Sequence, residues 1–492
     1  MRIPILWCGP LSDIPTGLRQ LRRLTLAAGS ALFLSACQTF SPDGGMGLVA
    51  GVADRELRKE VTLLHTPEQV ASARARVEQL MRRSLTVDGA VQIALLNNRG
   101  LQGAYNELGL AEATMVQASL PANPTFSIER IASNTEIEFE RRIVANILAL
   151  ATLPARASIA ADRFHQAQLR AAEETLRVAN DTRRAYYRAV AAREHVFILD
   201  HARAVADQAN ELTKRLGQSG AISKLDQARQ QVFAAEVAAQ LATARQRALS
   251  ERERLIRLLG IWGSDLAFKI PDGLPAMPMR PRALPLVEIE AVQKRIDLTI
   301  ARLELQALSK SYGLTQATRF VNLLEVAGID RKVKEKETGD ITRARGFELE
   351  FQIPIFDFGE IRVRQAEQTY MQAVNRLMEM AVNARSQARD AYRVYRSTYD
   401  IAAHYRREVL PLRQIISDET LLRYNAMQVD VFALLTEARQ RVSSRAAAAE
   451  ARRDFWLAAV DLGVAVVGGG SGGSAGGEAG RTTSAPEAAE GH

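Results

Sequence analysis

Strict alternation of apolar and polar residues marks one stretch of the chain, Phe347-Glu348-Leu349-Glu350-Phe351-Gln352-Ile353. Phe, Leu, Phe and Ile fall on one face and Glu, Glu and Gln on the other, which is the period of a β-strand. A sheet in water can carry this pattern. So can a strand of a membrane barrel, with its apolar side to lipid and its acidic side to a water-filled lumen. The residues that follow bear on the choice. Pro354 ends the ladder, Gly359 gives a sharp corner, and about 60 residues of helical periodicity, read as uninterrupted by proline, come next, on the order of 90 Å at roughly 1.5 Å per residue. That is longer than a globular domain needs, and a strand handing over directly to it suggests a barrel joined to a helical tube.

The same succession occurs earlier in the chain. Leu85-Thr86 opens a helix, with Thr86 a candidate N-cap, and its periodicity persists to about Ser119 before Pro121 and Pro124 break it. A strand Thr125 to Ile131, a turn at Ser133-Asn134 and a strand from Glu136 follow, and Glu136-Ile137-Glu138-Phe139-Glu140 again places acids on one face. A very long helix runs from about Pro154 to Leu216, with a coiled-coil seam at Ala172, Leu176, Ala179, Tyr186 and Val190 that Arg183 and Arg193 interrupt. Gly217 to Asp226 reads as a tight reversal and Gln227 to Leu259 as the returning helix, with a Pro-rich connector at 271–285. Beyond it Ala291-Val292-Gln293 repeats Ala90-Val91-Gln92 at an offset of 201, and Ala366, Tyr370, Ala391 and Tyr392 repeat Ala160, Phe164, Ala185 and Tyr186 at an offset of 206. The second hairpin is expected as a strand Phe320 to Val326, a charged loop Arg331 to Arg345 and the strand Phe347 to Ile353. The second reversal falls near Tyr424 to Asp430. Two copies of one helix–hairpin–helix unit are implied, at 85–270 and 286–467, rather than a solenoid of small repeats.

The N-terminus reads as an address. Arg19, Arg22 and Arg23 precede an apolar run from Leu24 to Phe33, too short to span a bilayer and suited to a signal peptide over 1–36. Leu34-Ser35-Ala36-Cys37 matches the bacterial lipobox, which would make Cys37 a lipidated mature N-terminus followed by a polar lead-in over 37–84; an ordinary signal peptide with a chance cysteine is the alternative. Gln38, in place of an aspartate, favours the outer membrane over inner-membrane retention. Cys8 is given no role. Residues 468–492, rich in Gly, Ser and Ala, are expected to be a disordered tail.

Composition changes this picture little. Of 492 residues, 47% are hydrophobic and 24% charged, and the net charge of +8 is diluted by acids interleaved with the basic residues, a pattern of solvated helix faces and not of a nucleic-acid binder. With cysteines only at 8 and 37, no disulfide framework is available to the folded region. The six histidines (65, 165, 195, 201, 404 and 492) are scattered, and no phosphate loop, nucleophile elbow or metal-ligand spacing occurs. No cofactor, metal or catalytic residue is therefore expected, and an enzyme is the least supported class.

These motifs together resemble the TolC family of outer-membrane efflux and secretion proteins, over roughly Leu85 to Val467. The resemblance rests on Leu85-Thr86, Ala90, Ala94-Leu95 and Asn97-Asn98 in the first helix, on Gly220-Ala221-Ile222-Ser223-Lys224-Leu225-Asp226 at the first reversal, and on Ile353-Pro354-Ile355-Phe356-Asp357-Phe358-Gly359 at the corner. It implies a mainly α protein with a transmembrane β-barrel part, two β-hairpins per protomer pooled by a homotrimer into one twelve-stranded barrel, and antiparallel coiled-coil helices forming an α-barrel in the periplasm. It implies a passive duct that docks a periplasmic adaptor and an inner-membrane pump, for efflux or type I secretion. By the same token Gly220, Ser223, Asp226 and Asp430 become candidates for the narrow tip and gate, where helix capping is the plainer role for the two aspartates. Glu136, Glu138, Glu348 and Glu350 become candidate lumen residues that favour cations or simply solvate the lumen. The first repeat departs from the pattern, with Leu153-Pro154-Ala155-Arg156 at its corner, and Ala426 stands where the second reversal often has glycine. A lipid-anchored coiled-coil scaffold or adaptor is the rival reading; it explains the helices but not the alternating strands.

Overall fold

The computed structural model describes residues 40–321 and 323–470. Cys8, Cys37, the leader and most of the Gly-rich tail lie outside them. Two helices, α1 (Met46–Leu57) and α2 (Pro67–Met81), occupy the segment expected as a polar lead-in. Val49 and Ala53 of α1 are fully buried, and Thr66 caps α2 in a capping box with Gln69. Between them the extended chain is strapped down by two buried glutamines. Gln92 donates to the Glu60 carbonyl at 2.9 Å, and Gln102 donates to that of Thr62 at 3.1 Å.

The Thr86 side chain accepts from the Gly89 amide at 3.1 Å and starts α3 (Val87–Asn97). Asn98 leaves the helical region, and its Nδ2 donates to the Leu258 carbonyl while its Oδ1 caps Leu101, so that α4 (Arg99–Ser119) sets off in a new direction. Then come β1 (Thr125–Ala132), β2 (Glu136–Asn146), the short α5 (Ile147–Ala151), the 66-residue α6 (Leu153–Gln218) and α7 (Lys224–Leu259). After the connector the order is α8 (Val287–Lys294), α9 (Ile296–Ala317), β3 (Leu324–Glu335), β4 (Ile341–Phe351), α10 (Glu360–His404), α11 (Leu410–Asn425) and α12 (Val431–Val467). All five seam positions expected in α6, from Ala172 to Val190, are buried.

Two expectations need correction. The segment Arg331 to Arg345 is not a loop: β3 begins at Leu324 rather than Phe320 and runs to Glu335, β4 begins at Ile341, and only five residues turn between them. Charge on both faces disguised the period: Arg331 and Arg345 find carboxylates across the sheet in Glu138 and Asp330, and the other charged side chains stay at the surface. Nor is the helical run after Gly359 uniform. It contains Pro411, which removes one N–H and would drive its ring into a carbonyl of the preceding turn. A π-helical turn, Tyr405–Val409, stands immediately before α11 and widens the helix there.

The chain divides into two compact units. One comprises the sheet with the adjoining helix ends (110–164 and 309–367, together with 40–44), where Met115, Val116 and Ala160 form a small core and Lys310 pairs with Asp162 at 2.5 Å. The other is helical and contains the Pro-rich connector, whose backbone polar groups find no partners in a regular element. Tyr392, Tyr395 and Tyr399, on one face of α10, supply them. The Tyr399 hydroxyl donates to the Met279 carbonyl at 2.6 Å, Tyr395 accepts from the Arg282 amide at 3.0 Å, and Trp456 donates to the Pro275 carbonyl at 3.1 Å. Met277 and Leu284 thereby enter the same core as Phe455 and Leu462.

The corner at the end of β4 depends on one glycine. Gly359 has φ 70°, and a Cβ there would lie 2.2 Å from the Arg319 carbonyl oxygen. Arg319 Nε donates to the Phe358 carbonyl at 2.8 Å, Arg362 donates to the Arg319 carbonyl at 3.1 Å, and the Asp357 carboxylate accepts from the Gly359 amide at 3.0 Å. Gly359→Ala meets both the left-handed backbone and the carbonyl, and is expected to cost more than about 1 kcal/mol. The check is thermal unfolding of the purified protein, where Gly359→Ala should lower the midpoint and Phe356→Ala, at a site 97% exposed, should not.

Candidate functional site

The four strands pair antiparallel in chain order, β1-β2-β3-β4, so the outer edges of β1 and β4 carry backbone groups with no partner among the described residues. Register decides what each face presents, because directly paired residues point the same way. One face carries Phe126, Ile128, Ile143, Val326, Phe347, Leu349 and Phe351. These side chains are exposed, Phe347 at 85% and Ile128 at 64%, and the corner adds Ile355 at 59% and Phe356 at 97%. An apolar surface of this extent is not left to water.

The opposite face carries Glu129 on β1, Glu136, Glu138, Glu140 and Arg142 on β2, Glu325, Arg331 and Glu335 on β3, and Glu348 and Glu350 on β4. All four glutamates expected to share a face do so. Two of them are neutralised: Glu138 by Arg331, and Glu348 by Arg142 at 2.9 Å. The other two face a like charge directly across the ladder, Glu136 opposite Glu335 and Glu350 opposite Glu325, and Glu129 stands opposite Glu140. Acid pairs of this kind destabilise a sheet unless water or cations screen them. The face is therefore acidic and wet.

At the helix reversals the backbone explains the residues. Gly220 has φ 76° and the Ala221 amide donates to the Leu216 carbonyl at 2.9 Å, closing the end of α6. Ser223 caps α7: its Oγ accepts from the Asp226 amide at 3.1 Å and donates to the Asp226 carboxylate at 2.7 Å, which Arg229 also reaches at 3.3 Å. Asp430 caps α12, accepting from the Ala433 amide at 2.8 Å. In the second reversal the left-handed residue is Met427, with φ 59°, and not Ala426. Left-handed residue and N-cap thus both recur at an offset of 207, which makes Asp430 the counterpart of Ser223 and leaves Asp226 with none. Among the described residues no group of acids, histidines or cysteines could hold a metal ion, and no helix is long and apolar enough to cross a membrane.

No family model and no curated protein matches the sequence. Solved structures do match. Crystal structures of CusC, concerned with folding and transmembrane channel formation, give a TM-score of 0.65 at 16% identity over 78% of this chain and 92% of that one. The CmeC outer membrane channel of Campylobacter jejuni gives 0.63 at 17% over 78% and 86%, and the open-state MtrE outer membrane channel of Neisseria gonorrhoeae 0.64 at 16% over 78% and 89%. The chain shares the fold of these channels. At these identities the likeness is one of fold.

The fold gathers the four glutamates on one face of the sheet, while the four reversal residues belong to the other unit. Reading the sequence missed Arg142 and Arg331, which neutralise half of those acids. Alternation puts each on its strand's acidic face, but which acid each meets follows only from the register between strands. It missed Met427 because a left-handed methionine has no sequence mark. Asp430 supplies a test of capping against charge. Asp430→Ala is expected to lose about 1 kcal/mol of local stability, and Asp430→Asn to keep most of it, because asparagine caps equally well; amide hydrogen exchange at Val431 to Ala433 measures both.

Proposed function

We propose that this protein is the outer-membrane duct of an efflux or type I secretion system, a passive conduit and not an enzyme. Three copies pool their hairpins into a twelve-stranded barrel, and the long helices of the three form a periplasmic tube. The observation that carries the reading is the sheet: two unpaired edges, one exposed apolar face and one acidic face on strands of 8 to 12 residues. A tilted strand needs about 9–11 residues to cross a bilayer. Four strands fall below the smallest membrane barrels, which have about eight, and an open edge in hydrocarbon leaves backbone N–H and C=O groups without partners. Rotational symmetry closes the wall with one kind of interface.

On this reading the two halves of the chain are copies of one helix–hairpin–helix unit, and the reversals holding Gly220, Ser223, Asp226 and Asp430 are the narrow end that meets a periplasmic adaptor and an inner-membrane pump. Cys37 carries the lipid that anchors the mature chain in the outer membrane. Glu136, Glu138, Glu348 and Glu350 face the lumen, which favours cations; no energy is transduced within the duct, so cargo selection belongs to the pump.

Planar-bilayer recording of the detergent-purified protein tests this. A cation-selective conductance is expected from a species that runs as a trimer on unheated gels and as a monomer after heating. Glu136→Gln with Glu350→Gln, which removes the two of those four carboxylates that pair with no arginine, should lower the cation-to-anion permeability ratio with the trimer intact. A mature protein that stays soluble and monomeric without detergent contradicts the duct.

A further inference from the structure

The apolar face of the sheet is apolar only over the half nearest the corners. Toward the hairpin turns the next row on that face is Ile128, Arg141, Asp330 and Arg345, and the row beyond it is Arg130, Phe139, Lys332 and Arg343; the last row, at the turns, sets Lys334 among Ala132, Ile137 and Ile341. Six basic side chains and one acid thus occupy the outward face above the apolar band. Asp330 serves Arg345 at 3.3 Å and Arg141 at 4.0 Å. Arg130 lies over the Phe139 ring, 5.6 Å from its centroid. Lys332 stands directly opposite Arg343 on the neighbouring strand, and among the described residues neither has an ion pair or a side-chain hydrogen bond; nor has Lys334. On the other face the same rows carry Glu129, Glu136, Glu138, Glu140 and Glu335 against Arg331 alone. The turns are therefore not basic in general. Positive charge is sorted to the outward side.

We propose that this basic belt binds the phosphate groups of anionic lipids in the leaflet nearest the hairpin turns. The inference rests on the barrel reading above, which puts this face against the membrane. Like charges directly opposite on adjacent strands repel, and a phosphate oxygen cluster seated between Lys332 and Arg343 turns that repulsion into two charge-assisted hydrogen bonds. The belt begins where the apolar band ends, with the aromatic Phe139 at its level, which is the depth at which headgroups meet a protein wall. Strands about 4.8 Å apart and rows about 7 Å apart present the cations at spacings that one headgroup can bridge. Zwitterionic lipid offers the phosphate together with its own counter-charge and so competes poorly.

The experiment uses the full-length protein in nanodiscs of dimyristoylphosphatidylcholine, with and without dimyristoylphosphatidylglycerol, and counts retained lipids by native mass spectrometry of the released trimer. The unmodified trimer is expected to retain phosphatidylglycerol over phosphatidylcholine, and Lys332→Gln with Arg343→Gln to lose that preference by on the order of fivefold for each charge removed. Added inorganic phosphate should not displace the lipid. Arg130→Gln, in the same row on β1, gives the same readout should the double variant not assemble. A trimer that retains both lipids equally overturns the proposal while leaving the barrel in place, as does displacement by inorganic phosphate, which marks a free-anion site. Absence of a trimer in any bilayer overturns the barrel reading and this proposal with it.

Discussion

Backbone hydrogen bonding at the two outer strands is the constraint from which the rest follows. β1 and β4 each pair on one side only, and the face they share exposes phenylalanine and isoleucine side chains. In water such an edge invites uncontrolled pairing; in hydrocarbon it is prohibitive. The duct proposed above answers both at once, by joining the free edge of one copy to that of the next until the wall closes. The face chemistry agrees with closure, since a cylinder turns one side of every strand to lipid and the other to water.

The remainder of the chain holds those strands in position. At the end of β4, Gly359 lets the backbone pass within contact of the Arg319 carbonyl, and two arginines and Asp357 tie off the polar groups that the corner exposes. At the end of β2 a different device does the same work: Asn146 caps α5 through the Ala149 amide at 2.7 Å, and Thr152 leads into α6. In the helical unit, a proline-rich segment that cannot satisfy itself is satisfied by three tyrosines and a tryptophan. Each of these is a local answer to a backbone group that would otherwise be buried without a partner.

Much of this was legible in the sequence where a period was undisturbed. Phe347 to Phe351 alternate cleanly, the seam from Ala172 to Val190 keeps helical spacing, and Thr86 sits where a cap belongs; all three are as the pattern predicts. Legibility failed where charge masked period, as at Arg331 to Arg345, whose charged residues fall on both sides of the strands. It failed again at Pro411, which a π turn accommodates within a long helical run. The reversals were placed correctly, but their equivalence was not: a cap can be Ser223 in one and Asp430 in the other, because both offer an oxygen to the same amide, and residue identity then misleads the alignment. The acidic face was visible and its arginine partners were not, since pairing across β3 depends on a register that no single strand reveals.

Joining of β1 to β4 between copies is the claim on which the account stands, and disulfide cross-linking of the membrane-embedded protein measures it. Cysteines placed singly along β1 and along β4, and combined in one chain, should link copies into dimers and trimers on non-reducing gels, with efficiency alternating every second residue as a strand pair requires. Links formed within one chain, or no link between copies at any pair of positions, would contradict it.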